Sequence, residues 1–212
     1  MPLHRNLIYI DDKDVTNRHN KVMKLHIFGA SGSGVTTLGQ LVGKKLGVKY
    51  FDSDDYFWLK TEPPFTHRRD PNERNQLIAK DLSEKENWIL GGSIIHWGDN
   101  LFPDFDLIIF LYLPNEIRIE RLKKRELERS GDIIYTDPKR AKQFNDFISW
   151  ATDYDHNTGI ANRTLKAHET WLAHTKNPVL KIIGNQTLDE KLELILEKLK
   201  EVNIVIRNDT SM

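Results

Sequence analysis

Three glycines and four hydroxyl side chains fall within nine residues, Gly29-Ala30-Ser31-Gly32-Ser33-Gly34-Val35-Thr36-Thr37. Glycines admit backbone dihedrals that aim several N–H groups into one concavity, where an anion can sit. The apolar run before the loop and the helical pattern after it place that concavity at a helix N-terminus, whose partial positive charge suits phosphate. A hydroxyl after the last glycine can ligate magnesium, and Thr36 stands there. One position departs from the usual phosphate-binding pattern: Val35 occupies the place of a lysine that would contact the β- and γ-phosphates. Losing one preorganised donor of that kind costs about 10²–10³-fold in rate. Two other runs suit the same chemistry. Phe51-Asp52-Ser53-Asp54-Asp55 closes an apolar segment. Alternation puts Asp52 and Asp54 on one side if the strand persists; one carboxylate can then hold magnesium through water and the other orient an acceptor hydroxyl. Ile89-Leu90-Gly91-Gly92-Ser93 ends in paired glycines, which permit close approach of a ligand to the backbone.

The elements that must position these groups follow from periodicity. Short apolar runs predict strands at 25–29, 48–53, 88–91, 107–113 and 179–183. Between them lie helical patterns. Leu38, Leu41, Val42 and Leu46 share one face, as do Leu188, Leu192, Ile195, Leu199 and Val202. Asn115 can cap a helix running through Arg129. Alternating strands and helices predict a parallel α/β sheet with right-handed crossovers. Residues 54–87 and 126–175 break the alternation, and such excursions sit over the carboxyl ends of the strands, where ligands bind. Within 126–175 a helical pattern runs from about Lys139 to Tyr154 and another from Ile160 to His174. Residues 1–22 read as an extension, with Leu7–Ile10 as an optional edge strand. Residues 23–202 read as the domain and 203–212 as a tail.

Composition bounds the function. Lys plus Arg and Asp plus Glu each total 31, so the formal net charge is zero. No global field draws the chain to nucleic acid or anionic lipid. Cysteine is absent, which excludes disulfide scaffolds, thiolate zinc sites and cysteine nucleophiles. The longest apolar run, Leu107–Leu113, is too short to span a bilayer, and no secretory signal is visible. These features predict a cytoplasmic protein without nucleic-acid or membrane partners. The eight histidines form no metal constellation. His67 and His96 flank the proposed acceptor site as ordinary hydrogen-bonding groups.

The loop, together with the lysine-free Gly-Ala-Ser-Gly-Ser-Gly-x-Thr-Thr pattern, resembles that of P-loop small-molecule kinases of the adenylate kinase and shikimate/gluconate kinase group. It is most similar to bacterial adenylate-kinase-like proteins, over Lys24 to about Leu199. The resemblance implies a three-layer α/β P-loop kinase fold with a five-stranded parallel sheet, an acceptor-binding insertion at about 54–87 and a helical lid at about 126–160. It implies ATP and Mg2+ as cofactors. Gly29, Ser31, Gly32, Ser33, Gly34, Val35, Thr36 and Thr37 would hold the ATP phosphates, and Thr36 and Asp52 the magnesium. Asp54 would orient the acceptor. Arg69, Arg74, Gly91, Gly92, Ser93 and Arg163 match acceptor-side positions. On the lid helix Arg121 and Arg125 match residues that contact adenine and phosphates, and stand in for the missing lysine. Nucleoside monophosphate kinases usually carry an acidic residue where this chain has Gly91-Gly92; shikimate-type kinases carry glycines. The expected function is ATP-dependent phosphoryl transfer to a nucleoside monophosphate or a hydroxyl-bearing metabolite. The alternative is a non-catalytic nucleotide-binding regulator disabled by Val35. Phe144, Phe147, Trp150 and Trp171 read as lid core.

Overall fold

A computed structural model describes residues 23–98 and 101–202. The extension at 1–22, its optional strand and the tail at 203–212 lie outside the described residues. Five parallel strands, β1 (Lys24–Gly29), β2 (Lys49–Asp52), β3 (Trp88–Gly91), β4 (Leu107–Tyr112) and β5 (Val179–Ile183), form one sheet in the order β2-β3-β1-β4-β5. The order reverses at β1, which lies between β3 and β4, so the ligand crevice of an open parallel sheet belongs at its carboxyl end.

The helices are α1 (Val35–Leu46), α2 (Ser53–Phe57), α3 (Pro71–Ser83), α4 (Asn115–Ser130), α5 (Ile133–Thr136), α6 (Pro138–His156), α7 (Leu165–His174) and α8 (Leu188–Glu201). Strand alternation sorts the side chains into two layers. Leu25 and Ile27 face α1 and α8, where they pack in one cluster with Leu38, Val42, Ile195 and Leu199. Phe28 and Leu90 face the other way, in a cluster with Ile78 and Leu82 of α3 and Leu172 of α7. Each such buried side chain stabilises the fold by about 1.5–3 kcal/mol. The result is the expected three-layer α/β arrangement. Among the described residues no helix is long and apolar enough to cross a membrane.

Three local expectations change. Asn115 does not cap α4: Pro114 holds the cap position without a side-chain bond, and Asn115 Oδ1 accepts from Arg118 Nη2 at 3.1 Å instead. Helix α7 starts at Leu165 rather than Ile160, because Asp153 at the end of α6 claims the intervening backbone. Its carboxylate accepts from the Thr158 amide and hydroxyl and from the Ala161 amide, each at 2.7 Å. Trp171 belongs to the core under the sheet, not to the lid. It stands edge-on to His26 and Phe28, whereas Phe144 packs against Tyr135 and Phe147 against Trp150.

The phosphate loop is fastened from below by Arg118, whose side chain has no solvent exposure. Its Nε donates to Leu113 O at 3.1 Å, and its Nη1 to Ser31 O at 3.2 Å and Ala151 O at 3.3 Å. Its Nη2 bonds the Asp155 carboxylate. One guanidinium thereby joins β4, the loop and α6. We expect Arg118→Leu to destabilise the fold by about 3–5 kcal/mol, because it strands the largely buried Asp155 charge; denaturant titration checks this, and a loss under 1 kcal/mol would contradict it.

Beside the loop, Tyr50 lies in a slot floored by Gly39 of α1 and Gly91 of β3. A Cβ on Gly39 would stand 2.2 Å from Tyr50 Cε2. Glycine-to-alanine inside an ordinary helix is favourable by about 1 kcal/mol. Here the ring would have to move, and overpacking costs about 1–3 kcal/mol. Gly39→Ala should therefore lower the midpoint of chemical unfolding, and an unchanged or raised midpoint would show that the slot has room.

Candidate active site

The loop between β1 and α1 has the geometry that its composition predicts. Gly32 and Gly34 take φ of 84° and 96°, and no side chain caps α1, whose N-cap position is Gly34. The first-turn N–H groups of α1 thus lack a side-chain acceptor, which is the condition for anion binding. Ser33 Oγ is buried without a hydrogen-bond partner. Val35 is half-buried and packs against the apolar cluster of α1 and α8, while Thr36 and Thr37 stay exposed.

Thr36 and Asp52 meet. The Thr36 hydroxyl donates to Asp52 Oδ2 at 2.9 Å, and Tyr50 donates to the same oxygen at 3.1 Å. The strand does not persist to Asp54. It ends at Asp52, whose Oδ1 caps α2 by accepting from the Asp54 amide at 3.0 Å. Asp54 therefore sits in the first turn of α2. One hydroxyl and one carboxylate beside a phosphate cradle are hard oxygen donors that fit magnesium, which takes one or two carboxylates and completes its shell with phosphate and water. Among the described residues no group of three or more His, Asp or Glu could hold a metal without such help.

Asp54 is open to solvent on one side but crowded by protein on the other. That crowding, and then the Asp52 carboxylate, raise its pKa above the ordinary carboxylate value, while Arg163 and Arg125 pull it back down. Both arginines thus lie close enough for their charge to act on Asp54. Arg163 reaches it because Asp153 organises the turn before α7; those hydrogen bonds hold the Asp153 pKa at about 2. Arg163 also feels Arg68 and Arg74. These three guanidinium groups stand on an aromatic floor: Arg163 4.8 Å from Phe57, Arg68 5.6 Å from Phe57 and Arg74 4.0 Å from Trp97. Among the described residues none of the three has a carboxylate in salt-bridge range.

The remaining predicted residues divide. Arg69 is spent on Glu73 at 2.6 Å and on Tyr56 O at 3.0 Å; its neighbour Arg68, which sequence reasoning passed over, joins the cluster. Arg121 donates to Asn185 Oδ1 at 2.8 Å, in the loop after β5. Arg125 shares Glu126 with Arg129. The Gly91-Gly92 pair does not open a path for a ligand on the side where a Cβ would stand. Tyr50 fills that space at Gly91 and Ser53 fills it at Gly92. Ser93 is buried, with Oγ 2.8 Å from His168 Nε2. Arg118 and Asp153 carried no sequence signal beyond ordinary helix charges, since what marks them is burial.

Residues 26–140 match a family model described as an AAA domain. The protein YqaC of Bacillus subtilis (strain 168), itself uncharacterized, is 41% identical over 175 residues, 82% of this chain and 96% of that one. A cytidylate kinase of Archaeoglobus fulgidus is 32% identical over 115 residues, 49% of this chain and 62% of the relative. Among solved structures, a gluconokinase from Sinorhizobium meliloti 1021 superposes with a TM-score of 0.54 at 15% identity, over 87% of this chain and 95% of that one; a likeness at that identity concerns the fold. With the loop, sheet order and matched span in agreement, this chain belongs to the AAA-domain family of P-loop proteins and is a relative of YqaC.

Proposed function

We propose that the protein is an ATP- and magnesium-dependent phosphotransferase acting on a small anionic acceptor. The observation that carries the reading is the convergence on Asp54. Asp52, two residues before Asp54, bonds Thr36 of the loop, and the charge of Arg163, itself in the field of Arg68 and Arg74, acts on Asp54. Guanidinium groups held near one another without a salt-bridged carboxylate repel, and an anionic ligand between them relieves that repulsion. The kinase names of the cytidylate kinase and gluconokinase relatives support the same reaction class.

In this reading Gly29, Ser31, Gly32, Ser33, Gly34, Val35, Thr36 and Thr37 cradle the ATP phosphates with backbone amides and hydroxyls. Thr36 and Asp52 would hold the magnesium, which would supply positive charge to neutralise the phosphates. Arg74 and Arg163 receive the acceptor anion with Arg68. An acceptor oxygen attacks the γ-phosphorus, the bond to the β–γ bridging oxygen breaks, and ADP leaves. Where the acceptor is a hydroxyl, its proton passes to Asp54. Arg121 and Arg125 supply to the transferred group the positive charge that Val35 cannot. Residues 54–87 carry the acceptor wall and residues from about 126 to 160 the lid.

The acceptor is either a nucleoside monophosphate or an acidic hydroxy metabolite, and both fit the arginine cluster. The packing of Val35 into the core favours a second reading, a nucleotide-binding regulator without turnover. Calorimetric titration with ATP, with and without magnesium, followed by ATP-coupled assays on CMP, AMP, gluconate and shikimate, separates them. Magnesium-dependent ATP binding with turnover of one acceptor is the expected outcome. Binding without turnover of any acceptor favours the regulator, and no binding at millimolar ATP removes both.

The charges around Asp54 also set a pH dependence. The carboxylate must be ionised to take a proton, so activity falls on the acid side as Asp54 protonates. In the ligand-free protein burial, and then the Asp52 carboxylate, raise its pKa. Arg163 favours the ionised form, so Arg163→Gln should move the acid limb of kcat to higher pH; a limb that stays in place would separate Arg163 from Asp54.

A further inference from the structure

His168 takes no part in the reaction described above, yet both its ring nitrogens are engaged and its exposure is 1%. Nε2 lies 2.8 Å from Ser93 Oγ, and Nδ1 lies 2.8 Å from the Tyr154 hydroxyl. The ring stands edge-on to Phe28 at 4.9 Å and to Phe110 at 6.0 Å. Burial above all, then the charges of Arg163, His26 and His96, hold its pKa down to about 3. The imidazole is therefore neutral, with one nitrogen donating and the other accepting.

Which nitrogen carries the proton follows from its two neighbours. Burial raises the pKa of the Tyr154 hydroxyl, so it remains a protonated phenol. In equally buried surroundings a phenolic O–H is a stronger hydrogen-bond donor than an aliphatic hydroxyl. The ring's lone pair is best used on the phenol, which leaves the ring N–H for the serine. We propose that His168 is a positioning residue: Tyr154 O–H donates to Nδ1, Nε2–H donates to Ser93 Oγ, and the Ser93 hydroxyl hydrogen is left to donate to the anionic acceptor. Ser93 follows Gly92 at the carboxyl end of β3, and Gly92 abuts Ser53, the residue before Asp54. Tyr154 and His168 belong to α6 and α7, so two helices together set the direction of a hydroxyl at the end of β3. What Ser93 touches rests on the phosphotransferase reading; the tautomer does not.

The test uses full-length protein labelled with 15N-histidine, loaded with magnesium and a non-hydrolysable ATP analogue, and inorganic phosphate as the acceptor-side probe. His168 should show an unprotonated Nδ1 and a protonated Nε2, and phosphate should shift the Nε2 resonance. Phosphate affinity should fall about tenfold in His168→Leu, the loss of roughly one hydrogen bond. His168→Gln should restore it, because the amide offers an oxygen to Tyr154 and an N–H to Ser93. Tyr154→Phe keeps the buried ring and should redistribute the proton toward Nδ1, which preserves the test where His168→Leu does not fold. A protonated Nδ1 in the native protein, an unaltered tautomer in Tyr154→Phe, or no phosphate response would each overturn the proposal. A wrong tautomer in a protein that phosphorylates CMP or gluconate leaves the phosphotransferase reading intact. Failure of every acceptor with the expected tautomer and phosphate response removes that reading alone.

Discussion

A guanidinium shut away from water has five N–H groups to satisfy, and Arg118 satisfies them only because distant segments come to it. The end of β4, the phosphate loop, the first turn of α4 and the inner part of α6 each supply an oxygen. Buried ion pairs are poor stabilisers when compared with apolar packing, but removing one partner is costly, so such a pair fixes registry. The loop confirms the registry from its other side. A Cβ on Gly32 would stand 2.9 Å from Arg118 O and 3.1 Å from Leu122 Cγ, so glycine lets the loop rest directly on α4. The phosphate cradle thus has a shape dictated by the helix beneath it and, through Asp155, by α6.

The same helix reaches the opposite wall. Arg118 Cζ lies 5.0 Å from the Tyr154 ring, and the Tyr154 hydroxyl bonds His168, which bonds Ser93. The segment Ala151–Asp155 is therefore tied to the loop after β1 and to the loop after β3 at once. At the far end of this region Ile133 and Tyr135 of α5 are exposed, and Arg129 of α4 meets Phe65 of the facing wall at 5.1 Å.

The parallel sheet and its order of elements were legible because each strand is a short apolar run and each covering helix has one apolar stripe, as in Leu38 with Val42 and Ile195 with Leu199. The phosphate loop was legible because it is a local motif. Its partnership with Asp52 was readable from the strand end, although α2 begins one residue later and turns Asp52 into a cap. What stayed hidden are pairings set by tertiary distance. Arg68 and Arg69 are equivalent in sequence, and only the position of Glu73 one turn on takes Arg69 out of the cluster. Gly91 and Gly92 read as room for a ligand, but Tyr50 and Ser53 occupy that room. Asp153 looks like any helix-end acid until its three hydrogen bonds to residues 158–161 are seen to shape the turn that carries Arg163.

Val35 gains its meaning from the same arrangement. A lysine at the start of α1 would carry its charge from the loop side; here the aliphatic chain adds to the core between α1 and α8, and the loop keeps only neutral donors. The charge facing the crevice stands instead on α3, α4 and the turn before α7, in side chains anchored by aromatic rings or by Glu126 rather than by the loop itself. The field of a guanidinium is weak in water and strengthens as water leaves. Cations set on these walls therefore act on the crevice in proportion to how far it is dehydrated, whereas a lysine of the loop would be held against the phosphates by the loop itself.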